Sequence, residues 1–124
     1  MNATWIGQST VLIQTAGLNI LTDPFLSARA SPLQWAGPKR VRAPGLDSKS
    51  LPPIDIILLS HNHYDHMDLP ALKAIARHHA PHLITPHGNA RYVRGVNVFK
   101  ISELGWSDSI EIGSAKITVV PALH

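Results

Sequence analysis

The chain has 124 residues, enough for one domain with a real core and too few for two. With 44% hydrophobic residues, 15% charged residues and a net charge of +3, it reads as a folded globular chain, not a disordered or fibrous one, and gives little ground for nucleic-acid binding. Cysteine is absent, which excludes a disulfide framework, a thiolate metal site and a cysteine nucleophile, so any metal must be held by His and carboxylate. No run of about 18 apolar residues occurs, and Met1 to Gln14 lacks the basic start and cleavage site of a secretory signal; a cytoplasmic location is expected.

The opening reads as a hairpin. Thr4 to Thr15 is rich in β-branched residues, Ala16-Gly17-Leu18-Asn19 supplies the turn, and Ile20 to Thr22 resumes extended backbone. Pro24 to Pro53 then holds six prolines and little periodicity, far longer than the usual connection of about 4 to 6 residues. Within it, Arg29, Lys39, Arg40 and Arg42 form a basic stretch with no acidic neighbour between Ala28 and Gly45. Such a stretch meets an anionic substrate or lipid head group, or is simply a solvated loop. Trp35 in the same loop touches an acyl chain or folds onto the core.

Asp55-Ile56-Ile57-Leu58-Leu59-Ser60 is a short continuous apolar run, the pattern of a central strand covered on both faces, and it delivers His61 at its carboxyl end. Asp68 is then a good N-cap, Pro70 fits a first helical turn, and Leu69, Leu72, Ile75 and Ala76 form a stripe opposite Lys73 and Arg77. This predicts an amphipathic helix ending near His79. A strand follows over His82 to Thr85, a helical turn over Ala90 to Arg94, and a strand around Val98 to Ile101. Ile110 and Ile112, then Ala115, Ile117 and Val119, alternate across Gly113-Ser114 as a second hairpin running into Pro121. The order of elements predicts a mixed α/β architecture with helices on at least one face of the sheet.

Chemistry concentrates in one place. His61-Asn62-His63-Tyr64-Asp65-His66 offers four ligands within six residues, between a buried strand and a helix. Imidazole suits zinc, and alternate positions in an extended or turning loop put two His side chains on one side of an ion, while Asp65 and His66 begin a second site. A solvated loop with four such groups is the bland alternative, and burying them unpaired would be costly. His78, His79 and His82 read as structural, at a helix terminus and a strand start. His87 follows a strand and is either part of the site or a turn residue. Tyr64 positions substrate or packs against the loop.

The pattern H-x-H-x-D-H after an apolar strand resembles the signature of the metallo-β-lactamase superfamily. Trp5-Ile6-Gly7-Gln8-Ser9-Thr10-Val11-Leu12, Leu21-Thr22-Asp23-Pro24, Arg29-Ala30-Ser31-Pro32, Gly37-Pro38-Lys39-Arg40 and Ser60 to Asp68 resemble the branch containing N-acylphosphatidylethanolamine-hydrolysing phospholipase D. That resemblance implies the N-terminal half of an αββα sandwich, a mixed sheet with helices on one face, so that residues 1–124 form a single partial domain. It implies that His61, His63 and His124 bind one zinc ion and that Asp65 and His66 bind a second and serve catalysis, with Asp23 orienting the ligand loop from behind. Asp23 by itself also reads as a turn residue before Pro24. Two zinc ions belong to the complete family site, and one is expected here, because the later bridging Asp and last His of the family lie beyond His124.

The implied reaction is hydrolysis of a phosphodiester by metal-activated water, with Arg29, Lys39, Arg40 and Arg42 near an anionic small molecule or phospholipid and peripheral contact with a membrane. Two alternatives stand beside it: a lactonase similar to the ascorbate-6-phosphate lactonases, and an inactive metal-binding fragment. Half a sandwich would expose an apolar sheet face, which predicts self-association or a partner that completes the site.

Overall fold

The computed structural model describes residues 1–123. A six-stranded sheet is built from β1 (Asn2–Gly7), β2 (Thr10–Thr15), β3 (Leu18–Thr22), β4 (Ile56–Leu58), β5 (His82–Pro86) and β6 (Lys100–Leu104), in that spatial order. The first three strands are antiparallel neighbours, and β3 through β6 run parallel. The helices α1 (Leu69–His78) and α2 (Ala90–Val93) form the β4 to β5 and β5 to β6 connections, and β7 (Ser109–Ile112) pairs with β8 (Ala115–Thr118) as a separate hairpin. The mixed α/β class expected from the sequence is what is observed.

Strand alternation sorts the apolar residues into two layers. Leu12, Leu21, Ile57 and Leu83 point to the face covered by Leu72, Ile75 and Ala76 of α1 and by Val93 of α2. Ile20, Ile56 and Ile84 point to the other face, where Ile110, Ile112 and Ile117 of the β7–β8 hairpin pack against them half-buried. Leu21, Ile56, Ile57, Leu72, Ile75 and Leu83 are fully buried, which explains why the run from Ile56 carries no polar residue: both faces of this strand are covered. The hairpin narrows the expectation of a bare face. Part of the apolar surface that half a sandwich would expose is covered within the chain.

The helix α1 begins and ends where its sequence dictates. Asp68 accepts the backbone N–H of Ala71 at 3.1 Å as N-cap, and the His79 N–H closes the last turn on the Ile75 carbonyl. The same buried carboxylate also accepts Leu26 N–H at 3.0 Å, Ser27 N–H at 2.7 Å and the Ser27 hydroxyl at 2.9 Å, so one side chain fastens the long loop to the helix. Arg40 works on that loop too: its guanidinium donates to the Phe25 carbonyl at 2.7 Å and lies 4.4 Å over the Phe25 ring.

Three expectations need correction. The stretch Thr4 to Thr15 is not one strand; it breaks at a corner where Gly7 has φ 149° and Gln8 φ 53°, producing three strands before Asp23 instead of two. The following turn is tighter than expected: Ala16 (φ 53°) and Gly17 (φ 77°) make it alone, and Leu18 and Asn19 already pair in β3. The sixth strand is also displaced from the expected Val98 to Ile101: it runs from Lys100 to Leu104, pairing from His82 onward.

Candidate metal centre

Because β3, β4 and β5 run parallel, their carboxyl ends lie along one edge of the sheet, the edge at which open α/β sheets form crevices. Asp23 leaves β3 there, Ser60 and His61 follow β4, and Thr85 and Pro86 end β5. Together with His63, His66 and the end of the β7–β8 hairpin they line a cavity of about 780 Å³. The loop after β4 turns through His66 N–H and Met67 N–H to the His63 carbonyl, which folds His61, His63 and His66 together. The His61 ring centroid is 4.6 Å from that of His63 and 4.0 Å from that of His66.

Asp23 sits at the centre of this arrangement. Its backbone is strained, at φ 33°, and its own N–H is held by the Leu58 carbonyl at 2.8 Å. The buried carboxylate accepts the Ser60 N–H at 2.7 Å and the Ser60 hydroxyl at 2.7 Å, and it meets His66 Nδ1 at 2.8 Å. A carboxylate only accepts, so His66 carries its proton on Nδ1 and its lone pair on Nε2. The Ser60 hydroxyl, having given its proton to Asp23, accepts from His61 Nδ1 at 2.9 Å, which puts the lone pair of His61 on Nε2 as well. One carboxylate thereby sets the tautomer of two imidazoles, the arrangement that prepares histidines for a metal.

Asp65 lies beside this pair, its Oδ2 3.7 Å from His66 Nε2 and accepting from Gln8 Nε2 at 3.0 Å. The Ser9 hydroxyl approaches His66 Nε2 at 3.4 Å. The donor types therefore fit a first-row divalent metal, and two of the rings are held in the tautomer that binding needs. Among the described residues, no three His, Asp or Glu side chains converge as they stand into a set that holds an ion. His124 lies outside the described residues.

Not every residue singled out in the sequence gathers here. Arg40 and Arg42 line a second cavity of about 570 Å³ with Trp5, Gln8 and Asp65, whereas Arg29 donates to the Gly37 carbonyl at 2.6 Å and its strand-like bridge to Lys39 closes the long loop. Tyr64 is half exposed and lines a third cavity, with His63, Asp65 and Tyr92; Trp35 is 79% exposed and does not fold onto the core. His82 is buried, its Nε2 2.8 Å from the Ser102 hydroxyl, and burial with Lys100 nearby pushes its pKa down. His87 lies against Gly105.

Sequence reasoning missed Gln8, Ser9, Thr10 and Ser60. Thr10 is fully buried and its hydroxyl donates to the Asp23 carbonyl at 2.8 Å while accepting the Phe25 N–H at 3.0 Å. In the sequence Gln8, Ser9 and Thr10 are a polar run at the β1–β2 corner, and Ser60 is the polar residue that ends the apolar run before His61.

The chain is similar to known proteins in sequence and in fold. A family model described as the beta-lactamase superfamily domain matches residues 18–124. The chain belongs to this superfamily. An N-acyl-phosphatidylethanolamine-hydrolyzing phospholipase D of Caenorhabditis elegans is 35% identical over 133 residues, covering 98% of this chain and 37% of that protein. A protein named as a metal-dependent hydrolase in Methanopyrus kandleri is 32% identical over the whole chain and 47% of its own length. Among solved structures, CmlA, a diiron beta-hydroxylase from Streptomyces venezuelae, superposes with a TM-score of 0.75 at 26% identity, over 98% of this chain and 24% of that one. The chain spans about a third of the length of the first curated relatives it matches. Among the described residues, no helix is long and apolar enough to cross a membrane.

Proposed function

We propose that this superfamily chain carries the leading ligands of a hydrolytic metal centre, with His61, His63 and His124 around one zinc ion and Asp65 with His66 at a second. The observation that supports it best is the network from Asp23 to His66 and, through Ser60, to His61. A buried carboxylate that holds one imidazole directly and a second through a serine fixes ring orientation and raises ligand basicity in a metal site. Bound metal would supply Lewis acidity and a source of hydroxide at neutral pH. Imidazole and carboxylate also suit iron, which the name of the Streptomyces relative raises, and metal analysis separates the two.

The bond proposed for cleavage is a phosphodiester. The oxygen of water forms a new bond to phosphorus, the bond to one alcohol breaks, and that alcohol leaves with a proton. Lys39 and Arg42 give the long loop a positive face suited to the phosphate; Arg29 and Arg40 shape the loop as well as adding charge. Exposed Trp35 and Val41 on the same loop suit contact with a lipid surface. The named activity of the nematode relative favours this class over a lactone.

The test is to load the chain with zinc and offer bis(p-nitrophenyl) phosphate and a simple lactone in parallel. Slow phosphodiester cleavage that exceeds lactone opening and is abolished by His63→Ala is the expected result. Lactone opening alone would move the reading to the lactonase class, and no His63-dependent turnover of either would leave a metal-binding chain without activity of its own.

A further inference from the structure

We infer that Gln8 is a positioning residue for the second ligand pair, holding the Asp65 carboxylate through Oδ2, the oxygen that lies 3.7 Å from His66 Nε2. This rests on the reading of Asp65 and His66 as ligands. Gln8 lies 57 positions from Asp65 in sequence and reaches it from the corner between β1 and β2, donating from Nε2 to Oδ2 at 3.0 Å. The next residue brings its hydroxyl to 3.4 Å from His66 Nε2, so two consecutive side chains of one turn address both members of the pair.

The corner is built to do this. The register between β1 and β2 shifts between Trp5 and Gly7, and Gly7 at φ 149° takes a conformation open to glycine. Gln8 then sits at φ 53°, where a side chain without a short polar tip is unfavourable. The turn is held in this state from outside: the exposed Trp5 donates its indole N–H to the Gln8 carbonyl at 2.9 Å. It is held from inside by Thr10, whose buried hydroxyl ties the start of β2 to the Asp23 turn.

The Gln8 side chain does little to offset that strain in the folded state. The Gln8 to Asp65 bond is exposed to solvent, and such a bond adds little to the folded state because water replaces it readily. Its effect is on geometry. A carboxylate with a free choice of rotamer loses entropy on binding metal, whereas one whose Oδ2 is held beside His66 by an amide, with a second lone pair still available, has given up that freedom beforehand. Glycine at this position would be the unstrained residue, and it would hold nothing.

The experiment follows the imidazole nitrogens of the chain, one by one, in long-range proton–nitrogen spectra during a titration with zinc alone. In the unmodified chain His66 Nε2 is expected to shift in a weaker phase than the nitrogens of His61 and His63. Gln8→Gly should move the His66 phase to at least about tenfold higher zinc, as loss of an outer partner does in metal sites, with the His61 and His63 phase unchanged within twofold. Its thermal midpoint should stay equal or rise, because the strain is relieved. A His66 phase unmoved by Gln8→Gly would overturn the assignment of Gln8, as would equal weakening of all three histidines. A His66 that never responds to zinc in the unmodified chain would instead overturn the ligand reading beneath it.

Discussion

Replacing Asp23 by Asn separates the metal-orienting role of this carboxylate from its role in the fold. Asn keeps one acceptor oxygen for the Ser60 N–H, which lies 2.7 Å from Oδ1, but turns an NH2 group toward the Ser60 hydroxyl and His66 Nδ1, both now within 2.8 Å of Oδ2. A donor cannot accept the His66 Nδ1 proton, so that ring moves its proton to Nε2, the nitrogen needed for metal, and the Ser60 hydroxyl loses the partner that made it an acceptor for His61. Both imidazoles are affected by one substitution. Zinc affinity should fall about 10- to 100-fold, or roughly 1.4 to 2.7 kcal/mol. The loss of stability without metal should be smaller, about 1 to 2 kcal/mol, because only the charge-assisted part of the network is removed. That corresponds to a drop of about 3 to 8 °C in thermal midpoint for a chain of this size. Calorimetric zinc titration beside thermal unfolding of the zinc-free protein reads both. An Asp23→Asn protein that binds zinc within twofold of the parent would refute the reasoning.

Three other expectations can be checked on the same preparation. Leu72→Ala removes a fully buried side chain between α1 and the sheet and should cost about 2 to 5 kcal/mol in urea unfolding. A cost below about 1 kcal/mol would mean the helix is loosely packed. His82 has its pKa lowered by burial and by Lys100, so its contribution is complete above the ordinary histidine value of 6.5 and declines as pH falls below it, when the unfolded chain takes up a proton that the folded one resists. His82→Gln should therefore flatten the loss of thermal stability between pH 7 and pH 5.5, and an unchanged slope would assign that loss to other groups. Trp106 and Val120 stay exposed beside the cavity, and light scattering should detect concentration-dependent association above the 13.5 kDa of one chain. A monodisperse monomer at high concentration would show that the β7–β8 hairpin covers enough of the sheet.

The parts of this molecule that were legible in the sequence are those in which local chemistry and burial agree. Asp68, Pro70 and the stripe from Leu72 to Ala76 define α1 by themselves, and Ile56 to Leu58 could only be a strand covered on both faces. The β7–β8 hairpin was equally plain from alternation about Gly113. What was hidden depends on tertiary contact. Gln8 is not a residue type that signals a left-handed corner, and its contact with Asp65 lies 57 positions away, so the break between β1 and β2 is marked in the sequence only by Gly7. Thr10 looks like any β-branched strand residue until its hydroxyl is seen buried on Asp23. Arg40 reads as one more charge in a basic loop, although its guanidinium is stacked on Phe25 and spent on a carbonyl. The ligand loop stood out because four donors in six residues is an unusual density; the serine that connects His61 to Asp23 is too common a residue to be noticed.

The measurement that bears most directly on the metal centre is the zinc content of the purified chain, taken with a titration that compares the parent, His61→Ala, His63→Ala, His124→Ala and His82→Ala. The ligand assignment predicts close to one zinc per chain at modest zinc concentration, since His61, His63 and His124 with one water meet the four-coordinate preference of the ion while Asp65 and His66 offer only two protein ligands. Each of the three proposed ligand substitutions should weaken that binding by at least tenfold, and His82→Ala should leave it nearly unchanged. Two tightly held zinc ions in the monomer, or equal losses from His82→Ala and His63→Ala, would contradict it.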